Sequence, residues 1–340
     1  MNVQANCVGR SAKHLQRLAL KAFASGVIVL FSLTSGAQEL PLSVGTQPYP
    51  GEGSLFVAKA KDFYGKAGLK VDDRKMQSGR LTMDAMLAGS LNIATPVETG
   101  PMFAIANGSE LVVLAQISFN AEEVKPLVRK DSGVTGPKDL VGKRLGYGAG
   151  SSNQYAMYNW LKMGGVPQDK VTLVNLQPPE LVAALVSQTI DVGFTWEPFL
   201  SAAVQKSGGA VRVVEGQRLY SSRLLLVART SWAKENVEAI SRLLRSLIAA
   251  ADWMKSNRAE AVRITAEQIS MAPKELDAIF DRWQYDVELS DDLVKAFNDQ
   301  FDWASEAKLL KPGTQKPDFK KYLFADPLVK IRPQAVKLSR

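Results

Sequence analysis

The sequence predicts an α/β protein in two lobes, each a mostly parallel sheet flanked by helices. Three observations carry this. Strand and helix patterns alternate twice, with a break near Lys130. Leu111 to Ile117, LVVLAQI, is apolar at every position but one, the pattern of a strand covered on both faces rather than one facing water. From Ser231 onward only helix signals follow, and a chain of 340 residues is long enough for two cores.

In order along the chain, Leu40 to Thr46 reads as a strand and QPYPGEG (47–53) as a loop. Leu55 to Gly68 is helical, with Leu55, Ala58, Phe63 and Ala67 on one side. A short strand Leu69–Val71, a helix Leu81–Ala88, a strand Leu91–Ala94, a helix Pro101–Asn107 and the strand Leu111–Ile117 complete the first series. The second series has strands at Lys143–Tyr147, Val171–Leu176, Asp191–Phe194 and Val211–Val214. Helices between them run over Asn153–Met163, Pro179–Ser187 and onward from Pro198, and Leu224 to Ala228 returns as a strand. Val237, Ile240, Leu243, Leu244, Leu247, Ile248 and Ala251 then recur at helical spacing. Ser256–Ile269, Pro273–Tyr285 and Asp291–Lys308 read as further helices, and the tail after Pro312 as loose.

Residues 1–37 read as an export signal. Arg10, Lys13, Arg17 and Lys21 precede any acidic residue, Ala22–Leu33 is apolar, and Ser35-Gly-Ala37 offers small residues for cleavage before Gln38. The apolar stretch is 12 residues, short of the roughly 20 that a membrane span needs. No cysteine follows it, which predicts a soluble periplasmic protein and not a lipoprotein. Cys7 and His14 are the only cysteine and histidine, and both leave with the signal. The mature chain then has no thiol or imidazole for a disulfide, for a Cys or His metal site, or for a Ser-His-Asp or Cys-His catalytic set. That argues against an enzyme and implies no cofactor. The signal removes four of 42 basic residues and none of 34 acidic ones, leaving 38 against 34, a net of +4. So mild a balance, with no basic run interleaved with aromatics, argues against nucleic acid as a partner.

GYGAGSSNQ (146–154) is the most informative short stretch. It has no lysine for a P-loop, and its third glycine comes one residue early for a dinucleotide fingerprint. A glycine turn running into Ser151, Ser152 and Asn153 suits a small anion or polar head group at a helix N-terminus. It suits a plain helix cap equally well.

The chain resembles the periplasmic solute-binding proteins of ABC importers, in the subgroup for sulfonates, taurine and nitrate that shares its fold with thiamine-precursor binders. AKAKDFYGKAGLKV (58–71), LAGSLNIATPVETGPMFAIANGSELVVLAQI (87–117), VRKDSG (128–133), DLVGKRLGYGAGSS (139–152), VTLVNLQPPELVAALVSQTIDVGFTWEPF (171–199) and AISRLLRSLIAAADWMKSN (239–257) carry the likeness in this order. It implies a two-lobed type II periplasmic binding protein fold with two crossover segments, near Lys125–Lys130 and Tyr220–Ala228. Residues 38–125 and 220–325 would form lobe I, 126–219 lobe II, and 326–340 a tail. It further implies a monomer that clamps a small-molecule ligand and delivers it to membrane permease subunits.

Ligands in such sheets sit at the carboxyl ends of strands. That rule selects Thr46, Gln47 and Tyr49, then Thr95, Glu98, Thr99 and Gly100, then Ser118 and Phe119 in the first lobe. In the second it selects Ser151, Ser152, Asn153, Gln154, Trp196 and Glu197. Local readings compete: Thr99-Gly100-Pro101 and Glu197-Pro198 both suit helix starts, and Tyr49 and Trp196 suit a core. With no Arg or Lys in the selected loops, a heavily charged anion is disfavoured. Glu98 or Glu197 could pair with the ammonium of a zwitterion, and an aromatic acid or a pyrimidine precursor would suit Tyr49, Phe119 and Trp196. The resemblance extends to pyrimidine synthases, which need histidine and a cysteine-rich motif that the mature chain lacks. A transcription-regulator sensing domain and a receptor without an importer are the remaining readings; the first needs an N-terminal DNA-binding module where the signal stands.

Overall fold

The computed structural model describes residues 39–339. The export signal expected over residues 1–37, and cleavage before Gln38, lie outside them. The strands are β1 (Leu40–Thr46), β2 (Leu69–Lys75), β3 (Ile93–Ala94), β4 (Leu111–Asn120), β5 (Lys125–Arg129), β6 (Arg144–Tyr147), β7 (Thr172–Asn175), β8 (Val192–Thr195), β9 (Val211–Val213), β10 (Ser222–Arg229), β11 (Trp283–Gln284), β12 (Leu289–Ser290) and β13 (Val336–Lys337). A six-stranded sheet has the order β11-β4-β10-β3-β1-β2, a five-stranded sheet the order β7-β6-β8-β5-β9, and β12 pairs with β13.

Strands β1 and β2 run parallel from Leu40↔Leu69 to Thr46↔Lys75. The helices Gly53–Ala60 and Phe63–Lys66 between them carry the chain back to the starting edge, as a parallel pair requires. β4 is buried along its length except at Phe119, as its continuous apolar run predicts. Its neighbours β10 and β11 are nevertheless antiparallel to it. The first sheet has two parallel and three antiparallel pairings, and the second has two of each. The expectation of mostly parallel sheets is therefore corrected to mixed sheets. Continuous apolarity reports that both faces are covered; it carries no information on strand direction. The helix Val237–Ser256 lies over the first sheet and buries Ile240, Leu243, Leu244, Leu247 and Ala251. Each fully buried leucine there contributes roughly 1.5–3 kcal/mol.

The chain leaves the first sheet at Asn120, enters the second at Lys125, and returns between Val213 and Ser222. The two connecting segments touch, the Glu123 N–H donating to the Tyr220 carbonyl at 3.1 Å. The crossovers expected at Lys125–Lys130 and Tyr220–Ala228 are mostly strand instead, as β5 and β10. The resemblance puts Lys125 and Pro126 in a crossover. Here Lys125 is buried with its ammonium on Glu215, and the following residues pair with β8 and β9.

The tail is also corrected. Beyond Pro312, Phe319 stacks on Phe297 with ring centroids 5.2 Å apart, and the Phe324 N–H donates to the Val113 carbonyl at 2.9 Å. Leu328 is fully buried in the helix Asp326–Ile331. These apolar residues follow no period, so sequence patterning misses them, yet each docks singly on the first core. Among the described residues no helix is long and apolar enough to cross a membrane.

Candidate functional site

The carboxyl ends of β1, β2, β3, β6, β7 and β8 lead into loops that line one cleft between the sheets. Four helices begin on its walls: Gly79–Leu87, Thr99–Ala106, Ser152–Gly164 and Pro178–Val186. Each presents N–H groups without intrahelical acceptors and the positive end of its dipole. Four such ends around one space make it attractive to negative charge.

On the first wall a buried carboxylate sets the loop geometry. Glu52 is fully buried; its Oε2 accepts from the Gln47 N–H at 3.0 Å and its Oε1 lies 2.6 Å from Thr95 Oγ1. Burial pushes the Glu52 pKa well above the usual carboxylate range. The neutral acid can donate to Thr95 Oγ1, leaving that hydroxyl to donate to the Gly45 carbonyl at 2.8 Å. Gln47 Nε2 donates to the Thr95 carbonyl at 2.9 Å, tying the loops after β1 and β3 together. Tyr49 lies behind them, its hydroxyl accepting from Trp283 Nε1 at 2.9 Å. A Cβ on Gly79 would stand 2.9 Å from the Pro96 Cα, so only glycine lets that helix start this close to the β3 loop.

The second wall is the glycine turn. Gly150 has φ +67, the left-handed region. Ser151 caps the helix: its hydroxyl donates to the Gly148 carbonyl at 2.7 Å and accepts from the Asn153 N–H at 3.2 Å. Gln154 Oε1 accepts from the Gly150 N–H at 2.8 Å, bracing the turn from outside the cleft. Asn153 is 1% exposed, and neither its Oδ1 nor its Nδ2 has a hydrogen-bond partner in the protein.

The structure thus brings Gln47, Tyr49, Thr99, Gly100, Ser151, Ser152, Asn153 and Trp196 together on the cleft. It places the other seven expected residues elsewhere. The Thr46 hydroxyl donates to Asp73 Oδ1, and Thr95 is fully buried behind the first wall with its hydroxyl on Gly45 and Glu52. Glu98 is buried behind the first wall, where its oxygens accept from the Arg223 N–H at 2.9 Å and Gln300 Nε2 at 3.1 Å. Ser118 lies beneath Gly51, and Phe119 sits under the Arg223 guanidinium at 5.0 Å. Gln154 braces the turn, and Glu197 accepts from the Ser201 N–H at 3.1 Å as a helix-start acceptor.

Sequence reasoning missed Ser78, Gly79, Arg80, Glu123 and Gln177, which also line the cleft. β2 extends to Lys75, four residues beyond the strand expected from sequence, so the strand-end rule does not reach the loop after it. Its continuation DDRK is an unbroken charged run on an edge strand, with no apolar residue to mark it as strand. Arg80 corrects the expectation of a cleft without cations: its Nη1 lies 3.4 Å from the Ala149 carbonyl on the opposite wall. Glu123 lies on the first connecting segment. Burial pushes its carboxyl up to about 8, helped by repulsion from Glu98 and opposed by the hydroxyls of Ser222 and Tyr49.

A family model described as NMT1-like matches residues 35–270. The chain belongs to the NMT1-like family. This NMT1-like chain is 28% identical over 265 residues to a protein of Bacillus subtilis (strain 168) named as an aliphatic sulfonates-binding protein, covering 75% of the chain and 79% of the relative. It is 30% identical over 198 residues to the taurine-binding periplasmic protein of Escherichia coli (strain K12), covering 56% and 60%. In fold it is similar to the alkanesulfonate-binding protein of Xanthomonas axonopodis pv. citri, solved with MOPS bound, at TM-score 0.73 and 21% identity, over 85% of this chain and 99% of that one. All three are named as binding proteins.

Proposed function

We infer that the chain is a non-catalytic periplasmic receptor of an ABC importer, which clamps a small organic anion of the sulfonate class between its two sheets for delivery to the permease. The convergence of four helix N-termini on one cleft is the observation that carries this reading. Asn153 supplies a buried side-chain amide there, whose unpartnered Nδ2 carries two N–H donors. A sulfonate has three oxygens to accept from such donors, and exclusion of water on closure strengthens each bond. The names of the relatives agree with this ligand class. The paired connecting segments at Ala121–Val124 and Val214–Ser221 would act as the hinge.

A thermal-shift screen of the purified chain tests the reading. The panel holds ethanesulfonate, taurine, MOPS, nitrate, an aromatic acid and a pyrimidine. A true ligand at 100 times its dissociation constant adds about 2.7 kcal/mol of stability. A sulfonate is expected to give the largest shift. A shift only from the aromatic acid or pyrimidine overturns the ligand class, and no shift from any compound overturns the receptor reading.

A further inference from the structure

We propose that a cavity beside the two connecting segments is a second ligand site, which takes a small anion that also bears hydroxyl groups: a hydroxycarboxylate or the phosphate ester of a polyol. It shares no lining residue with the cleft. Its volume is about 400 Å³, inside the roughly 300–1,000 Å³ of small-molecule sites. Tyr155 and Asn159, on the helix Ser152–Gly164 that follows β6, form one wall. The helix Asp291–Glu306, which packs on the first core, forms the other, and the returning segment from Arg218 to Ser221 runs between them. A ligand here would touch elements attached to both sheets.

Two guanidinium groups select the anion. Arg218 and Arg223 both line the cavity, and neither forms a salt bridge among the described residues. The Arg223 guanidinium rests on the Phe119 ring and feels the charge of Glu98 from a distance. The Glu98 oxygens are already taken by the Arg223 N–H and Gln300 Nε2. Free guanidinium forks match carboxylate and phosphate oxygens in pairs. Lys295 adds no free charge, because Asp299 holds its ammonium at 2.6 Å. The hydroxyl requirement comes from the acceptors. Gln300 is 2% exposed, and its Oε1 has no hydrogen-bond partner. Asp292, exposed at the rim, forms no salt bridge among the described residues. Both oxygens only accept, so the donor must come with the ligand. The Tyr220 hydroxyl, in a residue 3% exposed, makes no hydrogen bond either and can donate to the anion. A simple alkylsulfonate or nitrate offers acceptors alone and would leave Gln300 and Asp292 unmet, so this cavity does not duplicate the cleft.

The test is calorimetric titration of the full chain with two matched pairs, malate against succinate and glycerol phosphate against propyl phosphate, with and without saturating ethanesulfonate. Members of each pair differ only in their hydroxyls. Malate or glycerol phosphate should bind once per chain, and which of them does so assigns the carboxylate or the phosphate source. Its partner without hydroxyls should bind roughly 3- to 10-fold more weakly, and ethanesulfonate should displace neither. Replacing both guanidinium groups, Arg218→Gln with Arg223→Gln, should weaken binding about tenfold or more. Tyr220→Phe removes one unpartnered hydroxyl and keeps the ring; it should weaken binding roughly 3- to 10-fold and serves if the double variant does not fold. Binding of neither hydroxylated anion overturns the proposal. So does equal binding within both pairs, displacement by ethanesulfonate, or affinity that the folded variants leave unchanged. Binding of ethanesulfonate itself is scored in the same titrations, so the receptor reading stands or falls separately.

Discussion

Replacing Glu123 by glutamine keeps the side chain's shape and removes its titration, so it reads the cost of burying this acid. In the unfolded chain a glutamate titrates at roughly 4.3. In the fold burial holds Glu123 at about 8. A carboxyl raised in this way favours the folded state at low pH, where it is protonated in both states. Between the two pKa values the unfolded chain releases the proton and the folded one keeps it, so stability falls as pH rises. The loss runs at up to about 1.4 kcal/mol per pH unit and totals about 5 kcal/mol by pH 8 to 9. The glutamine variant lacks this term. Its advantage over the parent should grow by about 3–4 kcal/mol from pH 5 to pH 8 and then level off. Because Glu98 repels Glu123, the measured gap belongs to the pair of acids. Urea unfolding at each half unit of pH, with unchanged m-values, measures it. A gap that stays constant from pH 5 to 9 would refute the reasoning, since it would mean that Glu123 is ionised and solvated in the fold.

Other expectations follow from the same geometry. Leu328→Ala should cost about 2–5 kcal/mol in chemical unfolding, because the tail helix buries that side chain completely; a loose tail predicts no loss. Ser151→Ala removes a cap whose hydroxyl bonds both Gly148 and Asn153, and should cost about 1 kcal/mol of stability. It should change sulfonate affinity little, as titration calorimetry would show. Small-angle scattering should record a smaller radius of gyration when a bound sulfonate draws the two sheets together about the paired connecting segments; an identical profile at saturation argues against a clamp.

Much of the fold was legible because strands and helices here have clean periods. LVVLAQI ended as core, and so did Ile240, Leu243, Leu244, Leu247 and Ala251 of the helical run. Strand direction was not legible, since β10 reaches β4 from the other sheet and nothing in LLLVA encodes which way it runs. The strand-end rule located the loops after β1, β3, β6 and β8. It failed after β2, whose unbroken charged run hides a strand running to Lys75 and with it Arg80. Within the loops it could not tell which side chains face the cleft. Glu98 and Thr99 are neighbours, yet one is turned to Gln300 and the other lines the cleft. Glu123 was invisible for another reason: one of two adjacent glutamates in AEEVK reads as a solvated surface residue, and only the tertiary fold buries it.

The central claim is that the cleft beside the glycine turn holds the ligand, and Asn153→Ala tests it most directly. The Asn153 side-chain amide makes no hydrogen bond within the protein, so removing it should cost almost no folding stability. The two Nδ2 N–H bonds to a charged ligand, lost together, should weaken binding by roughly 10- to 100-fold. Titration calorimetry with the tightest sulfonate of the panel, alongside urea unfolding of both proteins, gives the two numbers. Weaker binding at unchanged stability is the predicted result. Unchanged affinity would contradict the account and move the ligand away from this cleft.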